Sequence, residues 1–207
     1  KILRSHLSEY AWTDEVDATD KELVEYLVSQ ADIVINCTGL VNTDKCAENI
    51  YGAYYSNVLT AKTIAQACLK YNTYLVHLAT TASYSSPQLI TEETSPAMFQ
   101  TVYSGSKLLG ESIVRTILPS ALIIRPCFVF GGLRDTSSVL KKLVYRALTG
   151  NHSLWEITLS LDTLKDYLWV TDFAEAVQKL LDTRQTRVYN ISNGFPQQYR
   201  KIISILE

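Results

Sequence analysis

Three side chains that could move a proton lie within the stretch from Thr73 to Lys107. Tyr103 and Lys107 are four residues apart in a segment of helical pattern, so they share one helix face. A free tyrosine phenol titrates near ~10, and a neighbouring ammonium would lower its pKa toward the working range. Thr80 follows a short apolar run and could bind the substrate oxygen. Together these groups predict proton transfer at a substrate alcohol or carbonyl.

The elements that would position these groups alternate between two periodicities. Short apolar runs at 32–36, 74–79 and 121–125 predict buried strands, and the patterns at 49–71, 97–118 and 137–148 predict helices. Thr19 or Asp20 is the predicted N-cap of an earlier helix. Such alternation is typical of an α/β fold with a doubly wound parallel sheet. Ligands of these sheets bind beyond the carboxyl ends of the strands, here expected at Asp17–Ala18, Asn36–Gly39, Thr80–Thr81 and Pro126–Phe128.

The composition limits the function classes. The chain has 207 residues, of which 47% are hydrophobic, and a net charge of −2, so neither nucleic acid nor an anionic membrane is an expected partner. No apolar stretch reaches about 18 residues, so we expect no transmembrane helix. The four cysteines have no CxxC spacing, which argues against a zinc site or a disulfide framework and fits a reducing compartment. We therefore expect a cytoplasmic protein without a bound metal.

Seven segments, taken in order, resemble the extended short-chain dehydrogenase/reductases, the group of nucleotide-sugar epimerases, dehydratases and 4-keto reductases. The segment Tyr103–Lys107 matches the YxxxK motif, and VHLATTASY is similar to the segment that carries the Ser/Thr of the family, here Thr80. LIIRPCFVFGG resembles the strand with RPxxVYG, and LKDYLWVTDFAEAV resembles RDFIYVDDLAEA. The other three segments are DIVINCTGLVN, YYSNVLTAKTIAQAC and VYNISNG. The resemblance implies a Rossmann-type domain over residues 1–131, with its N-terminal part incomplete. Residues 132–207 would be a mixed segment that holds a small substrate lobe and returning elements of the sheet.

The resemblance also implies a role for each site residue. Tyr103 would be the acid/base, Lys107 would hold the nicotinamide ribose, and Thr80 would bind the substrate oxygen, with Thr81 and Phe128 beside the substrate. Hydride would move between NAD or NADP and a sugar carbon. The cofactor would be lined by Asp17, Ala18, Thr38, Gly39, Asn57, Lys107, Pro126 and Cys127. For two of these residues a structural role stays open as the alternative. Asp17 could do no more than begin a helix cap, and Asn57 could be a buried polar residue that bends its helix.

One departure from the family concerns its glycine-rich first turn. The family holds the cofactor pyrophosphate with a GxxGxxG turn at a helix N-terminus, but only Gly39 and Gly52 precede residue 100 here. Either segments are missing and the numbering was closed across the gaps, or the turn is truly excised. The Cα separation at Leu3–Arg4 would distinguish these explanations, because an intact peptide spans about 3.8 Å.

Within the family, the sequence favours an epimerase or a ketoreductase of a nucleotide-activated sugar and does not decide between the two. The Asp-Glu pair of the dehydratases is replaced by Thr81-Ala82, which disfavours dehydration, while the segment CAEN from Cys46 leans toward the reductases. Two other functions remain: a non-catalytic scaffold of the same fold, and an enzyme for a non-sugar ketone. A basic residue for a diphosphate, with Arg134 and Lys165 as candidates, would separate sugar from non-sugar substrates. The resemblance also suggests a homodimer through the two long helices.

Overall fold

The computed structural model describes residues 16–84, 93, 99–131, 139–150 and 162–206. They divide into two compact units: described residues up to 126 together with 180–191 form the larger unit, and those of 127–179 and 192–206 form the smaller one. The test at Leu3–Arg4 and the diphosphate candidate Arg134 lie outside the described residues. The domain boundary after residue 131 stays a prediction.

A four-stranded parallel sheet organises the larger unit. Its strands are β1 (Ile33–Asn36), β2 (Tyr74–Leu78), β3 (Leu122–Pro126) and β7 (Val188–Ile191), in the order β1-β2-β3-β7. All three pairings are parallel, with Asn36 opposite His77 and Ile124 opposite Tyr189. The predicted parallel sheet is therefore confirmed. The strands β1, β2 and β3 begin and end within a residue of their predicted bounds, because buried parallel strands produce the uninterrupted apolar runs seen in the sequence. No bounds were predicted for β7.

Helices of the larger unit connect these strands. They are α1 (Lys21–Ser29), α2 (Thr43–Glu48), α3 (Ile50–Tyr54), α4 (Thr60–Tyr71) and α5 (Val102–Ile117). Asp20 is the N-cap of α1, as one of the two predictions had it, and its side chain accepts from the Leu23 N–H. Ala18 and Thr19 form a turn that leads into α1, and the strand predicted to end at Asp17–Ala18 would lie before residue 16, outside the described residues. Residues of α1, α4, α5 and the sheet share one apolar core that includes Val24, Ile64, Leu75, Val114 and Ile123.

The predicted single helix over 49–71 is interrupted in its middle. Residues Tyr55–Leu59 are π-helical and connect α3 to α4, and the helix ends where Asn72 adopts a left-handed conformation with φ of 54°. Gly110 of α5 faces this segment, and a Cβ at Gly110 would lie only 2.4 Å from the Asn57 carbonyl oxygen. The absence of a side chain therefore lets α5 approach the π-helical turn closely, which brings both elements to the candidate site.

The smaller unit contains short strands and three helices among its described residues. β4 (Phe128–Phe130) pairs in parallel with β6 (Tyr167–Trp169), and β5 (Leu164–Lys165) pairs antiparallel with β8 (Gln197–Gln198). The helices are α6 (Val139–Thr149), α7 (Val170–Asp182, whose last turn belongs to the larger unit) and α8 (Tyr199–Leu206). Aromatic rings pack against one another here, with the Phe130 and Trp169 centroids 5.2 Å apart. Within the described ranges, no helix has both the length and the apolar character needed to span a membrane.

Candidate functional site

The turn after β1 is held by side chains rather than by regular secondary structure. The Asn36 Oδ1 accepts from the Thr38 backbone N–H at 3.0 Å and from the Thr38 hydroxyl at 2.7 Å. Gly39 follows with φ of 141°, and a Cβ there would lie 2.5 Å from the Asn57 Oδ1 and 3.9 Å from the Lys107 Nζ. The backbone at Gly39 thus leaves no room for a side chain, as expected of a turn that passes close to a ligand or another chain segment.

Asn57 connects this turn to the helix that carries Tyr103. Its Oδ1 accepts from the Leu40 N–H at 2.8 Å, and its Nδ2 donates to the Leu40 carbonyl at 3.1 Å and to the Ser106 Oγ at 2.8 Å. The side chain lies in the π-helical segment, a feature often found at functional sites, and it is 2% exposed. Both interpretations of Asn57 fit these contacts, because a buried polar residue is also what holds the site together.

The N-terminus of α5 places Tyr103 and Lys107. Thr101 is the N-cap and forms a capping box with Ser104, in which each side chain accepts from the other residue's backbone N–H. This cap begins the helix close to Tyr103, later than the predicted start near residue 97. The Ser106 hydroxyl donates to the Tyr103 carbonyl, so Ser106 is tied both to the helix and to Asn57. Sequence reasoning did not single out Ser106, although it lies within the YxxxK segment.

Tyr103 and Thr80 come together as predicted. Burial raises the pKa of the Tyr103 phenol, and a side-chain hydrogen bond with Thr80 acts in the opposite direction. Thr80 is 7% exposed and caps the short 3-10 turn Thr81–Ser83, with its Oγ1 accepting from the Ala82 N–H at 3.1 Å. The prediction that the phenol pKa would be lowered is wrong for this structure, because desolvation of the phenolate outweighs the stabilising contact.

Lys107 is a buried ammonium at the end of β2. Its side chain is 4% exposed, and its Nζ donates to the Leu78 carbonyl at 2.5 Å. Burial lowers the pKa of Lys107 to about 8, although Cys37 and Glu111 nearby favour the charged form. Since an ammonium has three N–H donors, the bond to Leu78 leaves donors for a further oxygen. A buried lysine with a lowered pKa is a common mark of a functional site.

A second buried charge cluster lies behind these residues and was not predicted. Arg125 of β3 forms a bidentate pair with Glu111 of α5, at 2.8 Å from Nε and 2.6 Å from Nη2. Its Nη1 also donates to the Tyr84 hydroxyl, and that hydroxyl lies 2.8 Å from the Asn190 Oδ1. The available signal was an arginine in an otherwise apolar strand, because such a charge requires a buried partner.

The predicted adenine-binding residues Asp17 and Ala18 lie in the turn before α1. The Asp17 Oδ1 accepts from the Thr19 N–H at 2.9 Å and from the Thr19 hydroxyl at 2.6 Å, and this hydroxyl contact lowers the pKa of Asp17. Ala18 packs in the apolar core, so its backbone is the part left for a ligand. Asp17 therefore organises its own turn, while the helix cap is Asp20. Both ligand roles stay predictions.

The remaining predicted residues follow β2 and β3. The Thr81 hydroxyl donates to the Pro126 carbonyl at 3.1 Å, which connects the two strand ends. Cys127 and Phe128 belong to the smaller unit. There Phe128 is 47% exposed and the Lys165 Nζ lies 4.2 Å from its ring centroid, while burial raises the pKa of Cys127 to about 11. Among the described residues, no three His, Cys, Asp or Glu side chains are grouped so that they could hold a metal ion.

Comparison with protein families gives one match over most of the chain. Residues 3–192 match the model of a family described as the NAD dependent epimerase/dehydratase family. The match includes every candidate residue described above.

Individual proteins of known sequence or structure agree with this match. The chain is 28% identical over 125 residues to a dTDP-4-dehydrorhamnose reductase of Mycolicibacterium smegmatis, covering 58% of this chain and 37% of the relative. It is 34% identical over 130 residues to the probable low-salt glycan biosynthesis reductase Agl14 of Haloferax volcanii, covering 61% of this chain and 43% of the relative. The chain thus spans less than half the length of these two relatives.

The fold is also found in a solved structure, that of a dTDP-4-dehydrorhamnose reductase from Bacillus anthracis in complex with NADP. The TM-score is 0.86 at 20% identity, and the superposition covers 99% of this chain and 75% of that one. At this identity the likeness concerns the fold alone.

Proposed function

The chain belongs to the NAD dependent epimerase/dehydratase family, and on that premise we propose that it uses NAD or NADP to act on a nucleotide-activated sugar. Within this class we favour reduction of a sugar ketone, with epimerisation as the alternative. The relatives whose names state an activity of this kind support the substrate class, since one is a dTDP-4-dehydrorhamnose reductase.

One observation carries the proposal: Thr80 lies close enough to Tyr103 to lower the pKa of the phenol, beside the carboxyl end of β2, where Lys107 is also buried. Thr80 would hold the substrate oxygen by a hydrogen bond, and Tyr103 would give or take the proton at that oxygen. The three side chains come from a strand end and a helix, which are rigid elements suited to hold a reacting atom in place.

The residues around Gly39 fit a nicotinamide cofactor. The Gly39 backbone has no room for a Cβ, and the Lys107 Nζ lies nearby with donors that could hold ribose hydroxyls. Thr38 would line the same cofactor, and Asn57 would keep the turn in place through its two bonds to Leu40. A bound NAD or NADP would supply the hydride chemistry, and the chain's own residues would supply position and the proton.

The direction of the Tyr103 pKa shift favours ketone reduction. A tyrosine phenol is ordinarily protonated at neutral pH, and the raised pKa of Tyr103 keeps it in this form, which suits donation of a proton to a carbonyl oxygen. Oxidation of an alcohol would need the phenolate first. An epimerase needs both directions in turn, which is why we place it second.

The other predicted contacts complete the proposal. Asp17 and the Ala18 backbone would face the adenine, the backbone at Pro126 and Cys127 would face the carboxamide, and Thr81 and Phe128 would contact the substrate. Lys165 is the remaining described candidate for a basic contact to a diphosphate, and burial lowers its pKa.

The test measures cofactor binding and turnover in sequence. NADH, NADPH and their oxidised forms are titrated by fluorescence, and a panel of nucleotide sugars with 4-keto or 4-hydroxyl groups is followed by nicotinamide absorbance. Tyr103→Phe should lower the turnover number about 10²- to 10⁴-fold while it leaves cofactor affinity unchanged. Tyr51→Phe is the matched control, because Tyr51 is 91% exposed and lies outside the site.

The outcomes separate the remaining functions. Turnover of a non-sugar ketone, with no nucleotide sugar accepted, would support the alternative that the protein is an enzyme for non-sugar ketones. A protein that binds neither cofactor would support the non-catalytic scaffold, which is the function suggested by the absence of the GxxGxxG turn. Turnover that survives Tyr103→Phe would contradict the role of the phenol.

We also propose a homodimer through the two long helical segments. Large apolar side chains are exposed on both of them, including Ile50 at 52%, Tyr51 at 91% and Leu109 at 42%. Analytical ultracentrifugation should find a dimer that Tyr51→Asp combined with Leu109→Asp converts to a monomer. A monomeric parent protein at micromolar concentration would contradict this proposal.

A further inference from the structure

His77 is a buried histidine that the proposed chemistry does not use. It lies on β2 opposite Asn36 of β1, it is 1% exposed, and its Nδ1 is 3.0 Å from the Asn36 Nδ2. Its position in an otherwise apolar strand is unusual, because burying an imidazole costs desolvation free energy, whereas burying an aliphatic side chain does not. A specific contact must therefore account for it.

The hydrogen bonds around Asn36 determine which nitrogen of His77 carries the proton. A backbone N–H can only donate, and the Thr38 N–H donates to the Asn36 Oδ1, so the orientation of the Asn36 amide is set. Its Nδ2, which can only donate, then faces His77. The His77 Nδ1 must accept this bond, and the neutral ring carries its proton on Nε2.

The environment keeps His77 in this neutral form. Burial and the nearby Lys107 ammonium lower its pKa to about 3. Its Nε2 is buried without a hydrogen-bond partner in the part of the chain that the structure describes. An unpaired buried donor destabilises a fold, so stability alone does not explain a histidine at this position. The contact that explains it is the hydrogen bond that Nδ1 accepts from Asn36.

We propose that His77 is a positioning residue for the cofactor turn, acting through Asn36. By accepting from the Asn36 Nδ2, it orients the amide so that the Oδ1 can hold both donors of Thr38, and thereby places the Gly39 backbone next to Lys107. This inference rests on the proposed function, since it assigns a role to the turn that would line the nicotinamide cofactor.

Two substitutions of similar size test the accepting atom. His77→Asn places an amide oxygen near the position of Nδ1 and keeps an acceptor for Asn36, whereas His77→Leu removes it. His77→Leu should weaken NADH or NADPH binding roughly tenfold, the loss expected for one neutral hydrogen bond. His77→Asn should restore most of the affinity. The melting temperature of His77→Leu should stay close to that of the parent, because the loss of the unpaired Nε2–H offsets the Asn36 Nδ2 donor that is left unpaired.

A second measurement is independent of the cofactor. Amide hydrogen exchange at Thr38 should become faster in His77→Leu than in the parent and in His77→Asn, while exchange in α1 stays unchanged. If Thr38 exchange and cofactor affinity are the same in all three proteins, the inference is overturned. It is also overturned if both variants lose affinity in proportion to melting temperature, because that is the behaviour of a merely structural residue. If the parent binds no cofactor, the proposed function fails while Thr38 exchange still decides the role of His77.

Discussion

The two halves of α5 carry polar side chains in opposite environments. In the first half, Lys107 is buried and its pKa is lowered to about 8. In the second half, Ser112, Arg115 and Thr116 line an open cavity of about 560 Å³, and the Arg115 side chain is 57% exposed. The cavity is open, and its charged side chain is hydrated. Desolvated groups with shifted pKa values, rather than cavity volume, therefore mark the candidate site on this helix.

Glu111 lies between these two regions and interacts with both. On its buried side it accepts two bonds from Arg125, whose side chain is 4% exposed, and on the other side Arg115 approaches to 3.6 Å. The same carboxylate thus forms one desolvated pair and one hydrated pair. The predictions below test whether burial makes them as different as the geometry indicates.

The largest effect is expected from Arg125→Met. This change leaves the Glu111 carboxylate buried without its bidentate partner, which should lower the free energy of unfolding by about 3–5 kcal/mol. Urea denaturation followed by circular dichroism measures the change. The double variant Glu111→Gln with Arg125→Met should be more stable than Arg125→Met alone, since the uncompensated charge is then removed. A loss below about 1 kcal/mol in the single variant would show that the pair is hydrated.

The second prediction concerns the pH dependence of stability through Lys107. Its folded pKa of about 8 lies below the ordinary lysine value of 10.5, so the unfolded chain binds the proton more tightly. The cost of the buried charge is complete below pH 8 and is relieved as the pH rises toward 10.5. The resulting gain in the free energy of unfolding is at most about 3 kcal/mol.

Lys107→Met should remove this gain, and the difference between parent and variant isolates it. All four cysteines have a raised pKa, which lowers stability with rising pH; Cys46, Cys68 and Cys127 contribute equally to both proteins, whereas Cys37 interacts with Lys107 and its contribution is part of the difference. Urea denaturation at pH 7 and at pH 9.5 provides the measurement, with Lys62→Met at an exposed position as control. A parent-minus-variant difference that does not change with pH would mean that Lys107 stays hydrated.

The sheet and the shared helix face of Tyr103 and Lys107 could be predicted from local pattern, whereas the meeting of Thr80 with Tyr103 was expected from the place of Thr80 after a strand and from the family resemblance. Buried strands need apolar runs, and two residues four apart on a helix share a face. The direction of the Tyr103 pKa shift could not be predicted. It depends on how much water the fold removes from the phenol and on where the Lys107 Nζ is directed, and both are properties of packing.

The π-helical segment and the identity of the buried partner of Arg125 could not be predicted from the sequence either. The apolar pattern of 49–71 continues through Tyr55–Leu59, and the interruption coincides with the contacts of Asn57 to Leu40 and Ser106. Arg125 and Glu111 are 14 residues apart on different elements, so no periodicity connects them. Tertiary contacts that close a site are thus the part that pattern reasoning misses.

The third prediction compares two glycines with positive φ. Gly39 has a φ of 141° and no room for a Cβ, whereas Gly150 has a φ of 64° and nothing within 4 Å of that position. Gly39→Ala should lower the free energy of unfolding by about 1–3 kcal/mol, because backbone strain adds to a contact with Asn57. Gly150→Ala, the matched control, should cost about 1 kcal/mol from strain alone. Equal losses in thermal denaturation would show that Asn57 moves aside without cost.

The smallest effect is expected from Arg115→Ala. Because Glu111 already has a bidentate partner in Arg125, the additional attraction at 3.6 Å acts through water and should contribute less than about 0.5 kcal/mol. Raising the salt concentration to 1 M shortens the screening length to about 3 Å and should remove even this difference, while the loss in Arg125→Met should persist. Urea denaturation at both salt concentrations measures the two variants side by side. If Arg115→Ala destabilises the protein as much as Arg125→Met, Glu111 interacts equally strongly with both arginines. Burial would then not explain the difference between the two halves of α5.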